Sequence, residues 1–376
     1  MWFPAFPLDN TSLIVCSIGV IAFLIQCFYY LFVFGRIAFK SQKKEIREDS
    51  EGISVVIAAR NKMETLKKNL PYFLNQHYPA GYEVIVVNDC SIDETETMLS
   101  VLSLQYPHLR NTFVQKEERF YTGNKLALTI GLKAARYDRV VFSEPECMPP
   151  TKNWLLTVAG SFDPEKSILI GYSSYPLQKT AFNRRLRYET FFEGLHFLGQ
   201  GLREKPYQAT HKNMAFRKSF FFENKGFSFR SNLSFGEDDL FIQDNATARN
   251  AGVCIEPGSK MVADIPENKI LWRVQRKKQK AARRHYKSGV KIFLLLEPLS
   301  RLLLFSSLAG TLITFQGWFI PGSALVLRWF IQALIFSKAA KKLEEPSLVL
   351  YGMVYDLWHL PDHLCRSLSN FLPRSR

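Results

Sequence analysis

The stretch ISVVIAARNKMETL, residues 53–66, changes character at Arg60: a run of apolar and small residues gives way to a charged turn and then to a helical pattern. An apolar run without alternation reads as a strand buried on both faces, as in a parallel sheet covered by helices. YEVIVVN (residues 82–88) and RVVFS (residues 139–143) repeat the pattern. Helical stretches lie from about Lys62 to Asn75, from Asp93 to Gln105 and from Asn124 to Ala135. This alternation predicts an α/β, doubly wound sheet whose ligand sits at the C-terminal ends of the strands. The glycine fingerprint that receives a dinucleotide is absent after the first strand, which argues against a dehydrogenase.

The strand ends are polar in a patterned way. The first ends in Arg60, Asn61 and Glu64, the second in Asn88, Asp89, Ser91 and Asp93, the third in Glu144, Pro145 and Glu146. In a doubly wound sheet these clusters converge on one crevice. Carboxylates there accept hydrogen bonds from a base and ribose, and a pair spaced i, i+2 suits an oxygen-seeking divalent cation that bridges phosphates. Each cluster taken alone also reads as a helix cap, Ser91 and Asp93 being ordinary N-cap residues.

On either side of this region the chain is apolar. Leu13 to Gly35 carries no charge over 23 positions, and Arg36, Lys40, Lys43, Lys44 and Arg47 follow it. That predicts a retained transmembrane helix rather than a cleaved signal, with residue 36 onward in the cytoplasm. A second apolar block, Ile292 to about Ser337, is broken at Gly317, Pro321 and Gly322 and closed by Lys338, Lys341 and Lys342, which predicts a hairpin of two spans. Ser347 to Leu360, interrupted by Asp356 and followed by Pro361, reads as interfacial. Arg301 and Arg328 fall inside the spans, either as functional residues or as snorkelling ones.

Lysine and arginine total 49 against 34 acidic residues, a net charge of +15. Nine of the basic residues lie between Arg273 and Lys291 with no acidic residue among them. The run adjoins an apolar block and lacks the interleaved aromatics that stack bases, so it reads as an interfacial helix on anionic lipid, not a nucleic-acid site. Six cysteines show neither metal-ligand nor disulfide-framework spacing, in keeping with a reducing compartment.

Further segments recur in a fixed order: EVIVVNDCSIDET, YTGNKLALTIGLKAA, VVFSEPECMPPTKNWL, HKNMAFRKSFFFENKGF and SFGEDDLFIQDNATARNAG. With SVVIAARNKMETL they resemble an inverting family 2 glycosyltransferase of the GT-A fold, membrane-anchored and of bacterial type, from about Ser54 to His285. The resemblance implies a nucleotide-diphospho-sugar transferase built on a mixed doubly wound sheet, with one N-terminal transmembrane helix and a C-terminal transmembrane hairpin. It implies nucleotide binding by Ala59, Arg60, Asn61, Glu64, Asp89, Ser91, Lys125 (or Asn124) and Glu144, with Asp89 at the nucleobase and Lys125 near the diphosphate. Mn2+ or Mg2+ would sit on Glu144 and Glu146, and Asn213, Glu237, Gln275 and Arg276 would lie on the acceptor and diphosphate side. Asp238 is the expected catalytic base, with Asp239 the alternative.

Two departures bear on mechanism. Glu144-Pro145-Glu146 stands where the family carries Asp-x-Asp, and the Arg-Trp pair of the processive synthases' QxxRW motif is missing from Gln275-Arg276-Lys277-Lys278-Gln279. Single addition is therefore expected, from a nucleotide-sugar donor, UDP first among them, to a lipid-linked or glycan acceptor. The alternatives are a processive polysaccharide synthase and a catalytically silent membrane scaffold. The organisation expected is an anchor at 1–35, a basic linker at 36–51, the GT-A domain at 52–272, a basic interfacial helix at 273–291, a hairpin at 292–337 and an interfacial segment at 338–376. The place expected is a bacterial inner membrane, with the catalytic domain facing the cytoplasm.

Overall fold

The computed structural model describes residues 9–41, 51–115, 124–227, 236–314 and 316–371. Lys43, Lys44 and Arg47 of the basic linker, and residues 121–123 and 234–235 of the quoted motifs, lie outside them. The chain divides into two compact units, one of residues 41–282 with 342–344, the other of residues 1–40, 283–341 and 345–376.

The described residues of the first unit form ten strands: β1 (Ile53–Ala59), β2 (Tyr82–Asn88), β3 (Leu109–Phe113), β4 (Arg139–Ser143), β5 (Cys147–Met148), β6 (Ile168–Gly171), β7 (Ser173–Ser174), β8 (Met214–Arg217), β9 (Ala251–Cys254) and β10 (Met261–Ala263). Seven form one sheet in the order β3-β2-β1-β4-β8-β6-β9, and β5, β10 and β7 form a small second sheet. β1, β2, β3 and β4 are parallel, while β8 runs antiparallel to β4 and β6. The sheet is therefore mixed, and β1 and β2 are buried almost throughout. The helix Lys125–Ala134 packs closely over β1 and β2 because residue 131 is glycine: a Cβ there would stand 2.4 Å from Val56 Cγ1 and 2.9 Å from Val87 Cγ2.

The first helices are Met63–Leu74 and Thr95–Gln105, the latter starting two residues after Asp93. Asp93 is drawn into the turn instead, its carboxylate accepting from the Thr95 amide at 3.2 Å, the Thr95 hydroxyl at 2.5 Å and the Met63 amide at 3.1 Å. The expected basic helix at 273–291 is divided: one helix is Lys269–Arg283, started by Asn268 accepting from the Ile270 and Leu271 amides, and Ser288 to Lys291 open the next helix.

Among the described residues of the second unit three helical spans, Asn10–Ala38, Ser288–Thr314 and Phe319–Lys342, are long and apolar enough to cross a membrane. The turn between the last two centres on Gly317 (φ 66), and Pro321 and Gly322 lie within the second of them, Pro321 in its first turn where a missing amide hydrogen costs nothing. The segment after Glu345 is a chain of short helices, Pro346–Tyr351, Gly352–Trp358 and Leu360–Leu368, each too short to cross.

Arg301 and Arg328 do not snorkel. Both are buried, and Asp356 lies between them: it accepts from Arg301 Nη1 at 3.0 Å and from Arg328 Nη1 and Nη2 at 2.5 and 2.9 Å. Glu297 pairs with Arg301 at 2.8 Å, and Gln26 and Tyr30 bond to Arg328 at 2.8 and 3.0 Å. Two cations and two anions thus form a neutral buried set.

Candidate active site

The turns after β1 and β2 are stitched together. The Asn61 amide donates to Ser91 Oγ at 3.0 Å, the Ile92 amide to Asn61 Oδ1 at 2.8 Å and the Ser91 amide to Asn88 Oδ1 at 3.0 Å. Asn61 sits at φ 51, a left-handed conformation asparagine tolerates. Asn61 and Ser91 thus shape the crevice wall with their polar atoms turned on neighbouring backbone. Asp89 is half-buried beyond β2, its amide bonded to the Ala59 carbonyl at 2.8 Å. Burial raises the pKa of its carboxyl, with Arg60 opposing.

A cavity of about 1130 Å³ opens at these strand ends, and Arg60, Glu64, Glu144, Glu146, Glu237 and Gln275 all line it. Asn124 also reaches it, whereas Lys125 is buried and lines a neighbouring cavity of about 440 Å³. Glu237 borders both. Burial lowers the pKa of Lys125, and the charge of Glu237 acts against that.

The helix Glu237–Asn245 begins at Gly236, left-handed at φ 83, where a Cβ would lie 2.3 Å from that of Ala282. Three acidic residues fill its first turn, where the helix dipole favours them. Asp239 is buried and accepts from the Ala209 amide at 3.3 Å, whereas the Asp238 side chain keeps 16% of its surface exposed. His211, unmarked by the sequence reading, ties the pair together. Its Nε2 lies 3.3 Å from Glu237 Oε1 and its Nδ1 4.0 Å from Asp238 Oδ2, while Phe142 and Phe227 meet its ring edge-on.

These neighbours push the titrations apart. Burial opposes a charge on His211, but Asp238 and Glu237 outweigh it and push its pKa up to about 9. Burial also favours protonation of both carboxyls: the His211 hydrogen bond wins at Glu237, whose pKa is lowered, and burial wins at Asp238, whose pKa is raised. Such divergence between neighbouring acids is what separates a base from its charge partner.

Other expected residues are engaged elsewhere. Asn213 is buried and its amide donates to the Tyr172 and Ser259 carbonyls, each at 2.8 Å, joining β8 to the small sheet. Arg276 is clamped by Glu189 at 2.6 Å and Glu193 at 2.9 Å on the helix Ala181–Leu202. The Arg185 and Arg276 guanidinium groups both lie over the Trp272 ring, 5.2 and 5.8 Å from its centroid. A tryptophan is therefore present on the helix Lys269–Arg283, one turn before Gln275, where the motif spacing did not place it.

Each carboxylate of the Glu-Pro-Glu turn faces a lysine that the sequence reading also missed. Lys62 Nζ is 2.6 Å from Glu146, and Lys212 Nζ is 4.0 Å from Glu144. Lys212 directly precedes Asn213, and Lys62 sits in the first polar turn, so the signal was a cation inside each motif. Among the described residues no three His, Cys, Asp or Glu side chains gather as a metal site. Two neighbouring carboxylates would nonetheless suit a hard, oxygen-seeking divalent cation.

The family model for glycosyl transferase family 2 matches residues 54–233. A mannosyltransferase, PcManGT from Pyrobaculum calidifontis in complex with GDP-Man and Mn2+, is similar at 19% identity with a TM-score of 0.55, over 92% of this chain and 99% of that one. S. aureus TarS, residues 1–349, is similar at 15% identity with a TM-score of 0.43, over 86% of this chain and 93% of that one. At 19% identity the first likeness is one of fold. No curated protein matches the chain.

Proposed function

The domain between the two apolar blocks belongs to glycosyl transferase family 2, and on that premise we propose that this membrane-associated glycosyltransferase moves one sugar at a time, with inversion, from a nucleoside diphosphate donor to a lipid-linked or cell-surface glycan acceptor. The observation that carries the reading is the large cavity at the strand ends, lined by Glu144, Glu146 and Glu237, with Glu237 opening the helix that bears Asp238.

Asp238 is proposed as the base. It takes the proton of the acceptor hydroxyl as that oxygen bonds to the anomeric carbon, while the bond from that carbon to the phosphate oxygen breaks on the opposite face and its electrons leave with the diphosphate. A raised carboxyl pKa supports this role, because a stronger base draws the proton further in the transition state. His211 holds Glu237 and keeps a positive charge near Asp238. Glu144 and Glu146 are the residues that would hold Mn2+ or Mg2+, which when bound offsets charge on the departing diphosphate. Arg276 and Trp272 are occupied by Glu189, Glu193 and Arg185, which supports single addition over a chain-extending platform.

A UDP-sugar is the proposed donor, with GDP as the second reading because the similar mannosyltransferase is in complex with GDP-Man. The proposed site is the inner membrane of a bacterium, the catalytic domain on the cytoplasmic side, on the strength of the basic flanks of the three spans. The helix Lys269–Arg283 exposes Ile270 and Val274 among its basic residues, in keeping with a place at an anionic lipid surface.

The test is calorimetric titration of the full chain in detergent with UDP and GDP, with and without Mn2+, repeated on the Glu144→Ala, Glu146→Ala double variant. Mn2+-dependent binding that the variant loses is expected. Binding of neither nucleotide would leave the silent scaffold as the better reading.

A further inference from the structure

The two carboxylates that would hold a cation each already face an ammonium. Lys62 stands between β1 and the helix Met63–Leu74, its Nζ 2.6 Å from Glu146 Oε1, the two side chains 41% and 34% exposed. Lys212 stands just before β8, its Nζ 4.0 Å from Glu144 Oε2 and 3.4 Å from the Tyr175 hydroxyl, over whose ring it lies at 5.2 Å. All four charged residues line the same cavity of about 1130 Å³.

That arrangement has an electrostatic consequence. A divalent cation on Glu144 and Glu146 repels both ammonium groups and takes over their counter-ions. A nucleoside diphosphate entering the cavity brings more negative charge than one divalent cation neutralises, and lysine heads on four-carbon stems are mobile point charges suited to phosphate.

We propose that Lys62 and Lys212 are diphosphate-binding residues that exchange partners: they neutralise Glu146 and Glu144 in the empty crevice and move to the donor's phosphate oxygens when a divalent cation occupies the carboxylates. The inference rests on the donor-site reading above and adds two residues to it. It predicts opposite signs for two affinities. Removing either lysine strengthens the binding of the metal alone, because a competing counter-ion is gone, and weakens the binding of the nucleotide, because a phosphate ligand is gone.

The experiment uses the full chain in detergent as wild type, Lys62→Met, Lys212→Met and the double variant. Mn2+ alone is titrated by the loss of its free electron paramagnetic resonance signal, and UDP and GDP are titrated at saturating Mn2+. Each single variant is expected to bind Mn2+ about two- to fivefold more tightly, the range of half-exposed ion pairs, and nucleotide roughly tenfold or more weakly, as for a lost hydrogen bond to a charged group. Lys166→Met serves as control, since Lys166 donates to the Ala248 and Arg249 carbonyls and does not line this cavity, and it is expected to leave Mn2+ affinity unchanged. Unchanged affinities in the lysine variants, or metal and nucleotide binding that fall together, overturn the exchange while a nucleotide-binding wild type keeps the donor site. A wild type that binds neither nucleotide overturns both.

Discussion

Paired charges occur in both units of this protein, at opposite degrees of exposure. In the crevice Lys62 and Glu146 meet with side chains 41% and 34% exposed, and Lys212 and Glu144 stand 4.0 Å apart. In the membrane-type unit Arg301, Arg328, Glu297 and Asp356 are at most 1% exposed and satisfy one another. Water can replace either partner of an exposed pair, so such pairs are worth little and are free to trade partners. Nothing replaces the partner of a sealed charge, so a sealed set fixes which helices meet. The same residue types serve ligand exchange in one place and assembly in the other.

Several variants test how far this contrast extends. Asp238→Asn should cut transfer by about 10²- to 10⁴-fold, the usual share of a general base, with nucleotide affinity unchanged in titration. Near-normal single-turnover rates would move the base elsewhere. Asp356→Ala strands two buried guanidinium groups and should cost about 3–5 kcal/mol, read from thermal unfolding in detergent. If stability hardly changed, the sealed set would be no more binding than the crevice pairs.

Glu83 is an intermediate case. It is buried on β2 and accepts from Ser54 at 2.7 Å, the Arg136 amide at 2.6 Å and Arg110 at 2.9 Å. Burial favours its protonated form, but these three partners prevail and hold its carboxyl below the usual range. Glu83→Gln should cost about 1.5–3 kcal/mol at neutral pH. Because the folded pKa is depressed, that contribution is present above the unfolded carboxylate pKa and lost as pH falls through the folded one. Chemical denaturation at several pH values should show wild type and variant converging in acid.

The smallest expected effect concerns His211. Its imidazolium favours the ionised form of Asp238, so His211→Gln should raise the base's pKa and move the acid limb of the rate profile to higher pH. A profile unmoved, with only stability lost, would reduce His211 to a packing residue.

Much of the fold was legible in local pattern. β1, β2 and β4 coincide with ISVVIAA, YEVIVVN and RVVFS, because a strand buried on both faces writes its burial into consecutive residues. The apolar spans were legible for the same reason, by length and absence of charge. The site was legible in part. Motif order brought Glu144, Glu146 and Glu237 to one cavity, yet Asn213 and Arg276, from two other motifs of the series, are taken up by Tyr172, Ser259, Glu189 and Glu193. A motif names a residue's type and position, while the direction of its side chain depends on what packs opposite.

What the sequence determined by itself was therefore periodic and local: strands, spans, helix starts and the clustering of charge after each strand. What the tertiary structure alone decided was partnership. Arg301 with Asp356, Arg276 with Glu189 and His211 with Glu237 lie 55, 87 and 26 residues apart in the chain. Those pairs form only after packing has chosen which surfaces exclude water, because an ion pair is directional and short-ranged once solvent screens it. The charge of Lys62 or Asp356 is written in the chain, but whether it faces a ligand or seals a helix interface depends on that exclusion.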